Sequence, residues 1–178
     1  IAVISLGIYI ASLASEPTGI DLRAKSLNQT SFIMVQNADG KFEQYQTLYS
    51  TENRIWVDNQ KIPQAMKDAV VAIEDKRFFD HHGVDWTRTL SAVVSLASGT
   101  DSYGGSTITQ QLIKNVTDDN EVSLTRKMRE ICKALKLENE YTKDEILEAY
   151  LNVVNFGNNC QGVESAAQLY FDKSIENC

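Results

Sequence analysis

A chain of 178 residues is long enough for one domain with a short appendage. Its composition, 43% hydrophobic, 23% charged and 8% aromatic, is that of a globular protein and excludes a disordered or collagen-like chain. The formal net charge of −7 argues against nucleic-acid binding, which usually requires a basic surface. Three Cys without a C-x-x-C pair, and only two His, argue against a structural zinc site.

The first 15 residues carry no charge and are mostly apolar. A helix that spans a bilayer needs about 20 such residues, so this run is the end of a membrane anchor, a signal-peptide core or a buried helix. The helix-breaking segment Glu16-Pro17-Thr18-Gly19 follows, as expected where a membrane helix meets water. We therefore expect a fragment cut at both ends, in which residues 1–15 are the clipped end of a transmembrane helix.

The segment 16–62 is mixed and polar and contains one clear turn. Asp39-Gly40 lies between the semi-alternating runs Ser31–Gln36 and Lys41–Thr47, which predicts a β-hairpin. After Pro63 the apolar residues recur at helical spacing, and no strand alternates with the helices, which excludes a parallel α/β sheet. The predicted helices are 63–74, Thr87–Ala97, Thr107–Val116, 124–140, Lys143–Val153 and Val163–Tyr170.

Several of these helices begin at a residue that can cap a helix N-terminus. Ser106 precedes one helix and Ser123 precedes the long one, and each offers a hydroxyl oxygen to the free backbone amides. Thr142 with Glu145 forms the pattern of a capping box. The three Gly of Gly99–Gly105 predict a mobile loop before Ser106.

The long helix has an apolar stripe and a charged face. The stripe, which we expect to be buried, consists of Leu124, Met128, Ile131 and Leu135. Arg126, Glu130 and Lys133 project roughly opposite it, either as an exposed salt-bridged face or as a cationic wall with one carboxylate that faces a cleft. Periodicity does not choose between these two interpretations.

Three Cys leave one odd thiol. Cys132 falls on the apolar stripe of the long helix, so we expect a buried free thiol. Cys160 and Cys178 are able to pair if the domain lies outside the membrane and the geometry permits it.

The densest cluster of reactive side chains runs from residue 74 to residue 83. Glu74 directly follows the apolar run 69–73, and such a setting can raise a carboxyl pKa by desolvation and leave the group able to take a proton. The alternative is that Glu74 and Asp75 end a helix in solvated pairs with Lys76 and Arg77. The two adjacent His have no spaced partner His, which argues against a metal site there.

Residues 104–115 form a Gly-rich loop that leads into a helix. The segment lacks the G-x-x-x-x-G-K-[ST] spacing and has no preceding strand, so it is not a P-loop. The free amides of the helix N-terminus can bind an anion, with Lys114 two turns further on. A plain cap with a solvated lysine is the alternative.

Taken together, five ordered motifs between about Pro63 and Lys173 resemble the peptidoglycan glycosyltransferases, glycosyltransferase family 51. The motifs are Glu74-Asp75-x-x-Phe78-x-x-His81-x-Gly83; Gly104-Gly105-Ser106-Thr107-Ile108-Thr109-Gln110-Gln111 through Lys114-Asn115; Arg126-Lys127-x-x-Glu130; Lys143-x-x-Ile146-Leu147-Glu148-x-Tyr150-Leu151-Asn152; and Asn155-Phe156-Gly157 with Gly162-Val163-Glu164-x-Ala166-Ala167-Gln168-x-Tyr170-Phe171-x-Lys173.

The resemblance implies a mainly α, lysozyme-like helical domain with a small N-terminal β-hairpin region. The catalytic domain would be 63–178, truncated at its C-terminus, and 16–62 would be the linker and hairpin region. It implies an enzyme that polymerises lipid II into glycan strands, with inversion at the anomeric carbon and release of undecaprenyl pyrophosphate. The implied setting is a single-pass protein of the bacterial membrane, with its catalytic domain on the extracytoplasmic face.

The resemblance also implies roles for individual residues. Glu74 would be the general base, and Asp75 would shape its surroundings. Glu130 would support the leaving pyrophosphate through a divalent cation, Mg²⁺ or Mn²⁺. The remaining substrate-binding residues would orient the donor or offset phosphate charge, and these are Ser106, Gln110, Gln111, Lys114, Arg126 and Lys127. The implied partners are lipid II and the nascent strand, the membrane, a C-terminal transpeptidase domain and proteins of cell-wall synthesis or division.

The sequence departs from the family pattern at two places. Val122 stands where the family usually carries an Arg that contacts phosphate, and residues 158–161 replace the small and aromatic residues common before Gly162. Two alternative functions therefore stay open. One is a lysozyme-like enzyme that cleaves glycan, and the other, motivated by Val122, is a catalytically weak, membrane-anchored domain that binds lipid II.

Overall fold

The computed structural model describes residues 12, 15, 17–22, 31–37, 39–48, 53–98, 104–117 and 123–178. Almost all of the predicted anchor 1–15, residues 99–103 of the predicted mobile loop, and Val122 lie outside these ranges. Among the helices of the described ranges, none has the length and apolar character required to cross a bilayer.

The described part of the chain is mainly helical, as predicted. Its strands are β1 (Ser31–Gln36), β2 (Phe42–Leu48), β3 (Asn53–Arg54) and β4 (Cys160–Gln161). Its α-helices are α1 (Gln64–Glu74), α2 (Trp86–Ala97), α3 (Ile108–Thr117), α4 (Leu124–Glu140), α5 (Lys143–Val153) and α6 (Val163–Phe171). Short 3-10 helices cover Asn59–Lys61 and Ile175–Asn177.

The chain divides into two compact units. The first comprises Ile1–Leu22 and Gln64–Tyr150, and the second comprises Arg23–Pro63 and Leu151–Cys178. The first unit therefore contains α1 to α4 and most of α5. Its core is apolar, and its fully buried large side chains include Phe78, Ile108, Leu112, Leu137, Ile146 and Leu147.

The loop between α1 and α2 in the first unit is fixed where the backbone of Gly83 closely approaches α4. Gly83 has φ +84°, and a Cβ there would lie 2.5 Å from the carbonyl oxygen of Ala134 on α4. Only Gly fits such a contact without a shift of the backbone. The Gly83 carbonyl in turn accepts a hydrogen bond from the Thr107 hydroxyl at 2.7 Å. The loop is thus held against α4 and against the start of α3.

The cap predicted at α3 is wrong by one residue. The Gln110 amide donates to Thr107 Oγ1 at 3.2 Å, and the Thr107 amide donates to Gln110 Oε1 at 3.0 Å. Thr107 and Gln110 therefore form a capping box, and the Ser106 hydroxyl is engaged elsewhere. The other two predicted caps are confirmed: Ser123 Oγ accepts from the Arg126 amide at 3.1 Å, and Thr142 exchanges hydrogen bonds with Glu145.

The buried stripe predicted for α4 is also wrong. Leu124 is 80% exposed, and Met128, Ile131 and Leu135 are only half-buried. The face that α4 buries carries Glu130, Ala134 and Leu137 instead. Small Ala134 admits the backbone of Gly83, and the charge of Glu130 is matched by neighbouring cations, so this face can be buried although it is less apolar.

The second unit contains the predicted hairpin. Strands β1 and β2 pair antiparallel from Ser31 opposite Leu48 to Gln36 opposite Phe42, with an irregularity between Ile33 and Met34. The Asn37 side-chain oxygen accepts from the amide of Asp39 within the turn, which stabilises the predicted reversal.

The expectation that no strand follows Pro63 is wrong at Cys160–Gln161, which pairs in parallel with Asn53–Arg54. A strand of two residues has no periodicity that a sequence pattern could reveal. The turn before it, at 157–159, has positive φ throughout, which Gly and Asn tolerate best. The departure at residues 158–161 is therefore compatible with the local backbone.

The three Cys are free thiols, so the structure does not contain the Cys160–Cys178 disulfide. Cys160 is buried in the second unit, and burial raises the pKa of its thiol. Cys178 is exposed. Cys132 is half-buried rather than fully buried, because the apolar stripe of α4 on which it lies does not face the core.

Candidate functional site

Glu74 is the last residue of α1 and is held by a side chain from another helix. Gln111 Nε2, on α3, donates to Glu74 Oε2 at 2.9 Å. The hydroxyl of Tyr150, on α5, donates in turn to Gln111 Oε1 at 3.0 Å. Arg88, on α2, donates to the backbone carbonyl of Glu74. The carboxylate itself is therefore held by one neutral donor, the Gln111 amide.

Asp75 ties the end of α1 to the start of α3. Its side chain is 0% exposed, and its Oδ2 accepts from the Ile108 amide at 3.0 Å and lies 2.9 Å from His81 Nε2. A carboxylate at a helix N-terminus is favoured by the helix dipole. Asp75 is therefore a buried link between the two helices, and its predicted role in shaping the surroundings of Glu74 stays a prediction.

The solvated pairs considered for Glu74 and Asp75 do not form. Arg77 makes a bidentate contact with Asp85 instead, at 2.9 and 2.7 Å. Asp85 also accepts from the Arg88 amide at 3.0 Å and so caps α2. Burial alone raises the pKa of Asp85, but the hydrogen bonds from Arg88 and Arg77 and the charge of Arg77 outweigh burial and hold this pKa below 3.8.

A recess lined mostly by charged side chains lies between α3 and α4. Glu130 is only 5% exposed and is paired with two cations, Arg126 at 2.6 Å and Lys127. Lys127 also donates to the Ser106 hydroxyl at 2.9 Å. The recess itself is lined by Ile113, Lys114, Thr117, Arg126, Arg129, Glu130 and Lys133. Of the two interpretations of the charged face of α4, this supports the cationic wall.

The structure brings most of the predicted site residues into these two neighbourhoods. Gln111 and Lys114 lie three residues apart on α3, so they share one face of that helix and connect Glu74 to the recess. Gln110 lies apart from them: it is 1% exposed, and its Oε1 serves the α3 cap. Its predicted role in substrate binding stays a prediction.

The residues around Glu130 do not form a metal site of their own. Within the described ranges, no group of three or more His, Cys, Asp or Glu side chains could hold a metal ion. Both carboxylate oxygens of Glu130 already receive hydrogen bonds from cations. A carboxylate whose charge is matched in this way attracts a divalent cation weakly, so the described residues around Glu130 do not by themselves fit the expected Mg²⁺ or Mn²⁺.

Sequence reasoning gave no role to Tyr150, Arg129 or His81, although Tyr150 and His81 belong to the quoted motifs. Tyr150 is 39 residues from Gln111 along the chain, and no pattern within one helix can reveal such a pair. The sequence pattern around His81 argues only against a metal ligand, whereas in the structure its Nε2 contacts buried Asp75. A polar residue on a buried helix face, such as Tyr150 on α5, is the only signal available.

The Glu74 carboxylate is thus held by Gln111, which shares a face of α3 with Lys114 of the cationic recess. A family model described as transglycosylase matches residues 40–178. The chain belongs to this transglycosylase family, and the resemblance inferred from the five motifs is confirmed.

Named relatives agree with this family. Penicillin-binding protein 1A of Clostridium perfringens is 40% identical over 99% of this chain and 26% of its own length. Penicillin-binding protein 1F of Bacillus subtilis is 38% identical over 99% of this chain and 23% of its own length. A monofunctional glycosyltransferase of Staphylococcus epidermidis is 43% identical over 72% of this chain and 48% of its own length. The chain thus spans about a quarter to a half of these relatives.

Proposed function

We propose that this chain is a peptidoglycan glycosyltransferase domain, lysozyme-like in fold, that polymerises lipid II into glycan strands. The observation that supports this most directly is the hydrogen bond from Gln111 to Glu74, because Gln111 shares a helix face with Lys114 of the cationic recess. A base and a phosphate site on one helix suit a transfer from a pyrophosphate-linked donor.

Glu74 is the general base of this reaction. Gln111 holds its Oε2, which leaves Oε1 to take the proton from the 4-hydroxyl of the acceptor sugar. The acceptor oxygen then forms a bond to the anomeric carbon of the donor, from the side opposite the leaving group. The configuration at that carbon is inverted.

The cations that line the recess act on the leaving group. As the bond between the anomeric carbon and the pyrophosphate oxygen breaks, the electron pair stays with the pyrophosphate, whose negative charge grows. Lys114, Arg126 and Lys133 line the recess and offset that charge, while Glu130 holds Arg126 in place. Ser106 contributes by fixing Lys127.

The direct test is synthesis of glycan from lipid II by the purified protein. We expect polymer from the wild type and none from Glu74→Gln. Release of soluble muropeptides from sacculi would support the glycan-cleaving alternative instead. That alternative is not favoured, because glycan hydrolysis usually uses two carboxylates across the bond, and the second carboxylate here is bound to two cations.

A second candidate is a domain that binds lipid II without turnover, as Val122 suggests. Val122 lies outside the described residues, so the recess is defined without it. Binding of lipid II without polymer, with turnover restored by Val122→Arg, would support this candidate. Full activity of the wild type would exclude it.

Dependence on Mg²⁺ or Mn²⁺ stays a prediction. Because the residues around Glu130 do not fit a metal by themselves, an ion would have to be held largely by the substrate's phosphates. Activity measured with Mg²⁺ and after chelation, for the wild type and for Glu130→Gln, separates the two roles of Glu130. If Glu130 only holds Arg126 and Lys127, chelation should change the activity of Glu130→Gln by the same factor as that of the wild type.

The lipid-linked substrate also suggests where the protein acts. We propose that the domain works at the extracytoplasmic surface of a bacterial membrane, with a transmembrane anchor before it. Because two of the relatives are named penicillin-binding proteins and are much longer than this chain, we propose a transpeptidase domain as a further partner. Fractionation of cells and labelling with a penicillin probe test these two points.

A further inference from the structure

Three side chains from three helices form one chain of hydrogen bonds that ends on Glu74. The Tyr150 hydroxyl of α5 donates to Gln111 Oε1 of α3 at 3.0 Å, and Gln111 Nε2 donates to Glu74 Oε2 at 2.9 Å. Tyr150 is 2% exposed, so its hydroxyl has little access to water and depends on this contact.

The direction of this chain follows from the chemistry of its members. An ionised carboxylate can only accept, so the end of the Gln111 amide that faces Glu74 must be the NH₂ group. The other end is the carbonyl oxygen, which needs a donor. Burial, and then the negative charge of Glu74, raise the pKa of Tyr150, so its hydroxyl stays protonated and supplies that donor.

The reverse orientation of the Gln111 amide is disfavoured at both ends. If the amide turned over, its oxygen would face the Glu74 carboxylate, and two acceptors would meet. Its NH₂ group would face the Tyr150 hydroxyl, whose proton would then lack this acceptor. A buried polar group without a partner is destabilising, so Tyr150 selects one orientation of Gln111.

We propose that Tyr150 is a positioning residue for the base, which acts by locking the Gln111 amide so that Gln111 holds Glu74 Oε2 and leaves Oε1 to the substrate. This inference rests on the proposed role of Glu74. It also changes the role expected for Gln111, which holds the base instead of orienting the donor. Within the described residues, Glu74 Oε1 receives no hydrogen bond from the protein.

The other groups around Glu74 leave this assignment intact. From α2, Arg88 contacts the backbone carbonyl of Glu74. Gln111 from α3 is neutral, and Tyr150 from α5 is neutral while it stays protonated. The carboxylate thus depends on Gln111 for its orientation.

A double-mutant cycle on the purified protein tests the proposal, with Tyr150→Phe, Gln111→Met and the double variant. We expect kcat for glycan synthesis to fall about tenfold in each single variant, with KM for lipid II changed by less than about twofold. If Tyr150 acts through Gln111, the double variant should be no slower than Gln111→Met alone. A purely structural tyrosine would give effects that multiply.

Tyr170→Phe is the matched control. Its hydroxyl donates to the Phe156 carbonyl at 3.0 Å and accepts from Asn158 at 3.0 Å, so it loses the same kind of contact in the second unit. We expect its kcat to equal that of the wild type. Tyr150→Phe with an unchanged kcat, or multiplying effects in the double variant, would overturn the positioning role.

A second measurement is independent of activity. The side-chain NH₂ of Gln111 should exchange slowly with solvent in a ¹H–¹⁵N spectrum of the wild type, and faster by about tenfold or more in Tyr150→Phe. An unchanged exchange rate would contradict the lock even if the variant were slow. If the wild type fails to polymerise lipid II, the proposed function is wrong. If the wild type is active but the kcat losses of the two single variants multiply in the double variant, only the positioning role of Tyr150 is wrong.

Discussion

The two buried or half-buried carboxylates of the site, Glu74 and Glu130, are held in opposite ways. Glu74 receives a hydrogen bond from the neutral amide of Gln111, whereas Glu130 is bound to Arg126 and Lys127. A neutral donor orients a carboxylate and still leaves it free to take a proton. Two cations instead engage both oxygens of the Glu130 carboxylate, and its negative charge holds them in place.

This difference is compatible with the two roles that we propose for Glu74 and Glu130. The carboxylate with neutral partners suits a base, and the carboxylate with charged partners suits a counter-charge that arranges cations for a phosphate. Glycosidases arrange two carboxylates across one bond, each with a chemical step to perform. In this site, Glu130 is paired with two cations, which leaves Glu74 as the carboxylate that we propose for proton transfer.

Glu74→Gln should cause the largest loss. Because the amide cannot accept the hydroxyl proton, we expect kcat for glycan synthesis to fall about a thousandfold or more, within the range of general-base catalysis. Glu140→Gln, at an exposed position near the end of α4, is the control and should retain full activity. A Glu74→Gln variant within tenfold of the wild type would assign the base elsewhere.

Lys114→Gln should have the next largest effect, and it tests the other side of the comparison. Lys114 is exposed, so its removal should leave the fold intact while the recess loses one charge. A charge-assisted hydrogen bond of about 1.5–3 kcal/mol corresponds to a loss of about 10- to 150-fold in kcat/KM. Lys114→Arg should retain most of the activity, and Lys61→Gln, exposed in a 3-10 helix, all of it.

If Lys114→Arg were as slow as Lys114→Gln, geometry rather than charge would determine the contribution of this side chain. The recess would then not be distinguished from the neighbourhood of Glu74 by its positive charge.

Asp85 supports the neighbourhood of Glu74 through α2, and its removal should reduce stability rather than chemistry. Asp85→Asn keeps an oxygen for the cap but loses the charge, which we expect to cost about 1 kcal/mol at pH 7, since Arg77 is partly exposed and screened. Asp85→Ala loses the cap as well and should cost about 2 kcal/mol. Urea unfolding of the three proteins measures both differences.

The pH dependence of this loss has a definite sign. The pKa of Asp85 in the folded protein lies below its ordinary value of 3.8, so the stabilisation is present above that value and disappears as pH falls through the folded pKa. The difference between the wild type and Asp85→Asn should therefore shrink toward zero in acid. A difference that stays constant from pH 7 to pH 3 would show that the charge of Asp85 is not the cause.

The helices and the hairpin could be predicted because local signals are sufficient for them. Asp39-Gly40 is a turn signal within four residues, and Thr142 with Glu145 is a cap within one helical turn. Motif spacing likewise predicts Glu74 and Glu130 as site residues, and their roles stay predictions. What these signals lack is any information on which face of a helix meets another helix.

The failure on α4 has that cause. Its predicted stripe is not the most buried face, because the approach of Gly83 to Ala134 and the pairing of Glu130 select another one. Leu124 is exposed, and the other stripe residues are half-buried. The contact between Tyr150 and Gln111 was missed for the same reason, since it joins α5 to α3. Residues that become neighbours only in the folded chain define the site.

The cap of α3 gives the smallest expected effect and separates stability from function at adjacent residues. Thr107→Ala loses the acceptor for the Gln110 amide and the hydrogen bond to Gly83, so it should cost about 1–2 kcal/mol in urea unfolding. Ser106→Ala should cost less than about 0.5 kcal/mol, because Ser106 does not cap the helix. Its effect should appear instead as a severalfold loss of kcat, since Lys127, which pairs with Glu130, loses one of its two partners. Equal losses of stability in the two variants would show that Ser106 contributes to the cap of α3. They would contradict its proposed role in holding Lys127 beside Glu130.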